Sequence, residues 1–219
     1  MTYELPARRM DPEKKPRRDV VLSIREPRRL VAIVGVAVLA VAVCSGRTSA
    51  TDLQPELARL KRHVETLASP EFGGRSGEVA EKSRRYLIDA FKELKLEPLF
   101  DGSFYQDIPG REAGKLMGRN VGARLVGSDP KLRDEWVIVA AHFDHLGTRE
   151  GVLYPGADDN ASSVAMMLEV ARCLAGAAER PRRSVMLIGF DLEERGLFGS
   201  RYFVEHPPVP LDRIALFLT

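Results

Sequence analysis

Ser184-Val-Met-Leu-Ile-Gly-Phe190 is an uncharged apolar run, and it passes directly into Asp191-Leu-Glu-Glu-Arg-Gly-Leu-Phe-Gly-Ser200. Such a run reads as a strand buried on both faces, which suits a sheet covered by helices on each side. The glycine-bearing stretch behind it reads as a turn into a helix. Glu135-Trp-Val-Ile-Val-Ala-Ala141 is a second run of the same kind, and Arg213-Ile-Ala-Leu-Phe-Leu-Thr219 starts a third. Between the first two, Val164, Met167, Leu168, Ala171 and Leu174 recur at helical spacing, which predicts a helix over Ser162 to Leu174. Strand, helix, strand, helix, strand predicts an α/β fold: a doubly wound, mixed or mostly parallel sheet flanked by helices.

Upstream, Leu57, Leu60, Val64 and Leu67 mark one helix, with Asp52 placed to cap it. Ser69-Pro-Glu-Phe-Gly-Gly-Arg-Ser-Gly77 reads as a loop, and Val79 to Leu94 as a second helix with Tyr86, Leu87, Ala90, Phe91 and Leu94 on one face. Residues 95–130, including Gly118-Arg-Asn-Val-Gly122, read as short strands and turns.

The 219 residues are 44% hydrophobic and 29% charged, ordinary for a globular chain. The net charge of +2 provides no bulk electrostatic case for nucleic acid. Positive charge is concentrated in residues 1–29, a basic leader, so the remainder is net acidic. Leu30 to Cys44 is uncharged and follows Arg28-Arg29. As a helix it would span about 22 Å, short of the ~30 Å hydrocarbon core. Residues 30–50 therefore read as a signal peptide, with Ser45 to Ala50 offering small residues for cleavage, or as a membrane anchor. Lipidation of Cys44 is a further possibility, although Val43 is a poor match to the small residue such sites prefer. Each of these places residues 51–219 outside the cytoplasm: secreted, periplasmic or membrane-anchored. Two cysteines, Cys44 and Cys173, provide no cysteine metal site and are not expected to form a disulfide.

In open α/β sheets, ligands collect beyond the carboxyl ends of the strands. The first buried strand runs into His142-Phe-Asp-His145. His142 and Asp144 are two apart, so in extended backbone they share a side, and a carboxylate there suits the second nitrogen of a metal-binding imidazole. Tyr154-Pro-Gly-Ala-Asp-Asp-Asn-Ala-Ser-Ser163 is a turn leading into the helix. Its carboxylates either cap that helix or bind a cation. Glu193 and Glu194 sit where the strand leaves the core, and adjacent carboxylates there repel unless a cation or a proton relieves them. The bland counterparts are a satisfied histidine, a capped helix and a solvated acidic pair. One sheet edge would gather all three pieces.

Together these pieces resemble the signatures of the two-zinc aminopeptidases of metallopeptidase family 28: His142-Phe-Asp-His, Pro155-Gly-Ala-Asp-Asp-Asn-Ala-Ser, and Glu193-Glu194-Arg-Gly-Leu-Phe-Gly-Ser. The similarity reaches upstream to about Leu57, including Ser69-Pro-Glu-Phe-Gly-Gly-Arg. The resemblance implies that His142 binds one zinc ion, Glu194 binds a second and Asp159 bridges both. It implies that Glu193 is the general base and that Asp144 orients His142. Asp158 and His145 receive no ligand role. The implied activity is removal of N-terminal residues from a peptide substrate by metal-activated water. No His-Glu-x-x-His helix, Gly-x-Ser-x-Gly elbow or phosphate-binding loop competes with it.

The family site has two further ligands, an Asp and a His, downstream of the glutamates. The only later histidine is His206, in Glu205-His-Pro-Pro-Val-Pro210, which precedes the third strand and matches the distal His poorly. The expectation is an incomplete zinc peptidase domain over 51–219, inactive or weakly metal-binding, with an exposed apolar strand at Ile214 to Leu218. The alternatives are a non-catalytic, membrane-tethered or secreted binding domain on a peptidase scaffold, and a carboxypeptidase, dipeptidase or glutaminyl cyclase on the same fold.

Overall fold

The computed structural model describes residues 54–219. The basic leader, the apolar segment over 30–44, Asp52 and Cys44 lie outside the described residues. No helix among the described residues is long and apolar enough to cross a membrane.

In chain order the elements are α1 (Leu57–Leu67), α2 (Ala80–Glu93), β1 (Glu97–Pro98), β2 (Tyr105–Pro109), β3 (Leu116–Leu125), β4 (Trp136–His142), β5 (Gly147–Arg149), β6 (Val152–Tyr154), α3 (Ser162–Gly176), β7 (Ser184–Phe190), α4 (Phe198–Glu205) and β8 (Ile214–Leu218). The main sheet runs β1-β3-β7-β4-β8, with β2 also on β3, while β5 and β6 form a separate hairpin. β4 is parallel to both β7 and β8; β3 is antiparallel to β7, β1 and β2. The sheet is therefore mixed, and the α/β expectation holds.

Every residue of β7 is buried, which explains its unbroken apolar sequence: one face meets one helical layer, and the other face meets a second. On one side Val137, Val139, Val185 and Leu187 pack with Leu60, Leu87, Phe91, Met167 and Leu168 from α1, α2 and α3. On the other, Ile138, Met186, Ile188 and Phe190 pack with Phe203 of α4.

β3 departs from the sequence expectation. It is a ten-residue strand inside the sheet rather than a set of short pieces. Its glycines read as turn punctuation, but Gly122 serves close packing: a Cβ there would come within 2.7 Å of Leu99 and Phe100. α1 also differs in its start, where Glu56 occupies the cap position without a side-chain cap. Its backbone N–H donates to the buried carboxylate of Glu169 on α3, at 2.7 Å.

Candidate metal centre

β4 and β7 end side by side. His142 is in register with Phe190, and Phe143 N–H donates to the Phe190 carbonyl at 3.0 Å. The two strands leave the sheet at the same edge, as the parallel pairing requires. Beyond β7, Leu192 takes a left-handed conformation (φ 58°), an uncommon one for a branched residue, and turns the glutamates back toward β4. Asp144 fastens that turn: its two carboxylate oxygens accept from Glu193 N–H at 3.0 Å and Glu194 N–H at 3.2 Å. Burial pushes the Asp144 carboxyl up to about 6 and Asp191 adds repulsion, whereas the glutamate N–H groups and His142 favour its ionised form.

Asp144 also lies against the His142 ring. His142 Nδ1 lies 3.2 Å from the Asp144 backbone carbonyl and 3.8 Å from its carboxylate. The main chain thus makes the close contact with the ring, because the carboxylate is held by the two glutamate amides.

Asp159 lies on the irregular turn Ala157–Ala161 that leads into α3. Its carboxylate stands between two imidazoles, 3.2 Å from His142 Nε2 and 3.9 Å from His145 Nδ1. His145 Nδ1 in turn lies 2.6 Å from Glu194 Oε1. Ligand atoms of His145, Asp159 and Glu194 all fall within 4.8 Å of one another. At the start of α3, Ala161 occupies the cap position without a side-chain cap, and Asn160 Oδ1 accepts from Ser163 N–H at 3.3 Å. Glu193 shares the turn with Glu194, and its carbonyl accepts from Gly196 and Leu197 N–H. His206 is elsewhere, stacked on Tyr202 at 4.2 Å between ring centroids at the end of α4.

The fold thus gathers His142, Asp144, Asp159 and Glu194 at one edge and adds His145, which the motifs left without a ligand role. The signal for His145 was its place three residues beyond His142; only the turn after β4 shows that it returns to the same edge. Two imidazoles and two carboxylates form a donor set suited to zinc, and no thiolate is needed.

Residues 120–219 match peptidase family M28. The match includes all five residues singled out from the sequence, and His145. A probable zinc metalloprotease of Pyrenophora tritici-repentis is 29% identical over 131 residues, covering 58% of this chain and 26% of that protein. Aminopeptidase YwaD of Bacillus subtilis is 39% identical over 70 residues, covering 32% of this chain and 14% of its own length. The matched stretches therefore span 26% and 14% of these curated relatives. Among solved structures, a leucine aminopeptidase precursor from Bacteroides thetaiotaomicron superposes with a TM-score of 0.53 at 20% identity, covering 73% of this chain and 58% of that one. That likeness bears on the fold, and it agrees with the mixed sheet flanked by helices.

Proposed function

We propose that the chain carries the metal-binding face of a zinc aminopeptidase acting on peptide N-termini. The observation that supports this most strongly is Asp159 standing between His142 and His145, with Glu194 against His145. His142, His145, Asp159 and Glu194 would hold zinc. When bound, zinc would polarise the scissile carbonyl and make a water molecule more acidic. Glu193 would take a proton from the attacking water as the water oxygen bonds to the carbonyl carbon and the C=O π electrons move to the carbonyl oxygen. The same carboxyl then returns the proton to the amine as the C–N bond breaks. Asp144 keeps the base aimed by holding the amides of Glu193 and Glu194.

Metal analysis of the purified chain, with hydrolysis of aminoacyl amides, tests this. Near-stoichiometric zinc and turnover abolished by Glu193→Ala with zinc retained are expected. Zinc-free protein without turnover would favour the binding-domain alternative, and cyclisation of N-terminal glutamine without hydrolysis would favour the cyclase. The basic leader and the apolar segment 30–44 support export or membrane attachment. In cell fractionation the full chain is expected with membranes or outside the cytoplasm, and recovery in the cytosol overturns that part.

A further inference from the structure

Arg75 is fully buried, and the expected loop around it folds as tight turns over Pro70–Arg75. Among the described residues, its guanidinium meets no carboxylate directly. Instead it donates to five backbone carbonyls: Nε to Phe143 at 2.8 Å, Nη1 to Leu67 at 2.8 Å and Pro155 at 2.6 Å, Nη2 to Gly156 at 2.7 Å and Asp159 at 3.3 Å. That uses the donor capacity of the planar fork in full. The acceptors belong to three segments distant in sequence: the end of α1, the exit of β4, and the turn bearing Asp159. The Arg75 carbonyl closes the arrangement by accepting from His145 N–H at 3.3 Å. Arg75 itself has φ 52°, a conformation that costs a non-glycine residue energy and persists only when its surroundings enforce it.

We propose that Arg75 is a positioning residue for the metal centre, clamping the β4 exit to the Pro155–Asp159 turn so that Asp159 faces both histidines before any cation arrives. This rests on the metal-site reading given above. The resemblance includes Ser69-Pro-Glu-Phe-Gly-Gly-Arg75 but implies no role for that arginine, and Arg75 lies outside residues 120–219 that match family M28. The charge suits the task. Burial draws the guanidinium below its ordinary value, while Asp144, Asp159 and Glu194 draw it back up, so those carboxylates are its electrostatic neighbours. A fixed cation among them lessens their mutual repulsion in the metal-free protein. Lysine has a compact ammonium with three donors and cannot span the same acceptors.

The test compares Zn2+ and Co2+ affinity of the full chain with those of Arg75→Lys, Arg75→Ala and the control Leu87→Ala. Leu87 is buried in α2 and is an apolar core residue with no group that could bind a cation. Partners that hold a site's ligands typically change metal affinity roughly 10- to 100-fold. That loss is expected for Arg75→Lys, together with an altered visible spectrum of bound Co2+, while Leu87→Ala lowers the melting temperature with affinity and spectrum unchanged. Should Arg75→Ala not fold, Arg75→Lys decides alone. Unchanged affinity and spectrum in a folded Arg75→Lys overturn the proposal, as does a loss no larger than that of Leu87→Ala. Failure of the parent chain to take up metal overturns the metal-site reading first, and this proposal with it.

Discussion

Cys173 lies fully buried on the core side of α3. Burial pushes its thiol up to about 11, Glu169 adds to the effect, and Arg172 opposes it. The folded state therefore prefers the neutral thiol. That preference is intact below the ordinary value of 9.0 and is lost as pH rises through about 11. Two pKa units correspond to about 3 kcal/mol. Urea unfolding at pH 8 and pH 11 should show a larger loss for the parent chain than for Cys173→Ala; equal losses would contradict the assignment. Other residues resisted reading from the sequence because their partners are distant in the chain. The five acceptors of Arg75 come from separate segments, and His145 reaches Glu194 only through the close of the β4–β7 edge. The placement of His142, Asp159 and the glutamate pair at strand and helix ends was legible because it follows from local pattern.

At the scale of elements, β4, β7 and β8 occur where unbroken apolar runs predict them; burial on both faces explains the runs of β4 and β7, whereas β8 is a partly exposed edge strand. β3 was not legible, because glycine marks both turns and close contacts, and sequence alone does not separate the two. Its Asn120 shows what the strand does for the site. The fully buried amide donates to the carbonyls of Gln106, through Oε1, and Gly199, and its oxygen accepts from Asp191 N–H at 3.0 Å. Asp191 also takes a charge-assisted bond from Arg84 at 2.7 Å. Together these hold the end of β7 against the start of α4, which sets the direction of the glutamate turn. Gly199 is required there: a Cβ would sit 2.1 Å from the Asp191 carbonyl and 2.4 Å from Asn120 Oδ1. Overpacking of this kind costs about 1–3 kcal/mol. Gly199→Ala should lower the melting temperature accordingly and weaken zinc binding, read by calorimetry. A variant with parental stability and affinity would remove the turn from the list of supports.

For the whole molecule, the edge of the sheet matters as much as its centre. β8 stands at one end of the strand order, with Leu216 38% and Phe217 48% exposed. An apolar edge strand is a template for pairing with another chain. Light scattering should show concentration-dependent association of the parent chain and its reduction in Phe217→Lys at unchanged circular dichroism; equal association in both would assign the behaviour to another surface.

The sequence by itself determined which segments form the buried strands and helices, and which side chains have metal-binding chemistry, because burial and ligand type are written in local composition and period. Only the tertiary structure decided that β3 is interior, that the Asp144 carboxylate accepts from the glutamate amides, and that His145 and Arg75 lie against the turn bearing Asp159. Each of those depends on contacts between residues far apart in the chain, where register, close approach and shared carbonyls, rather than residue type, set the partner.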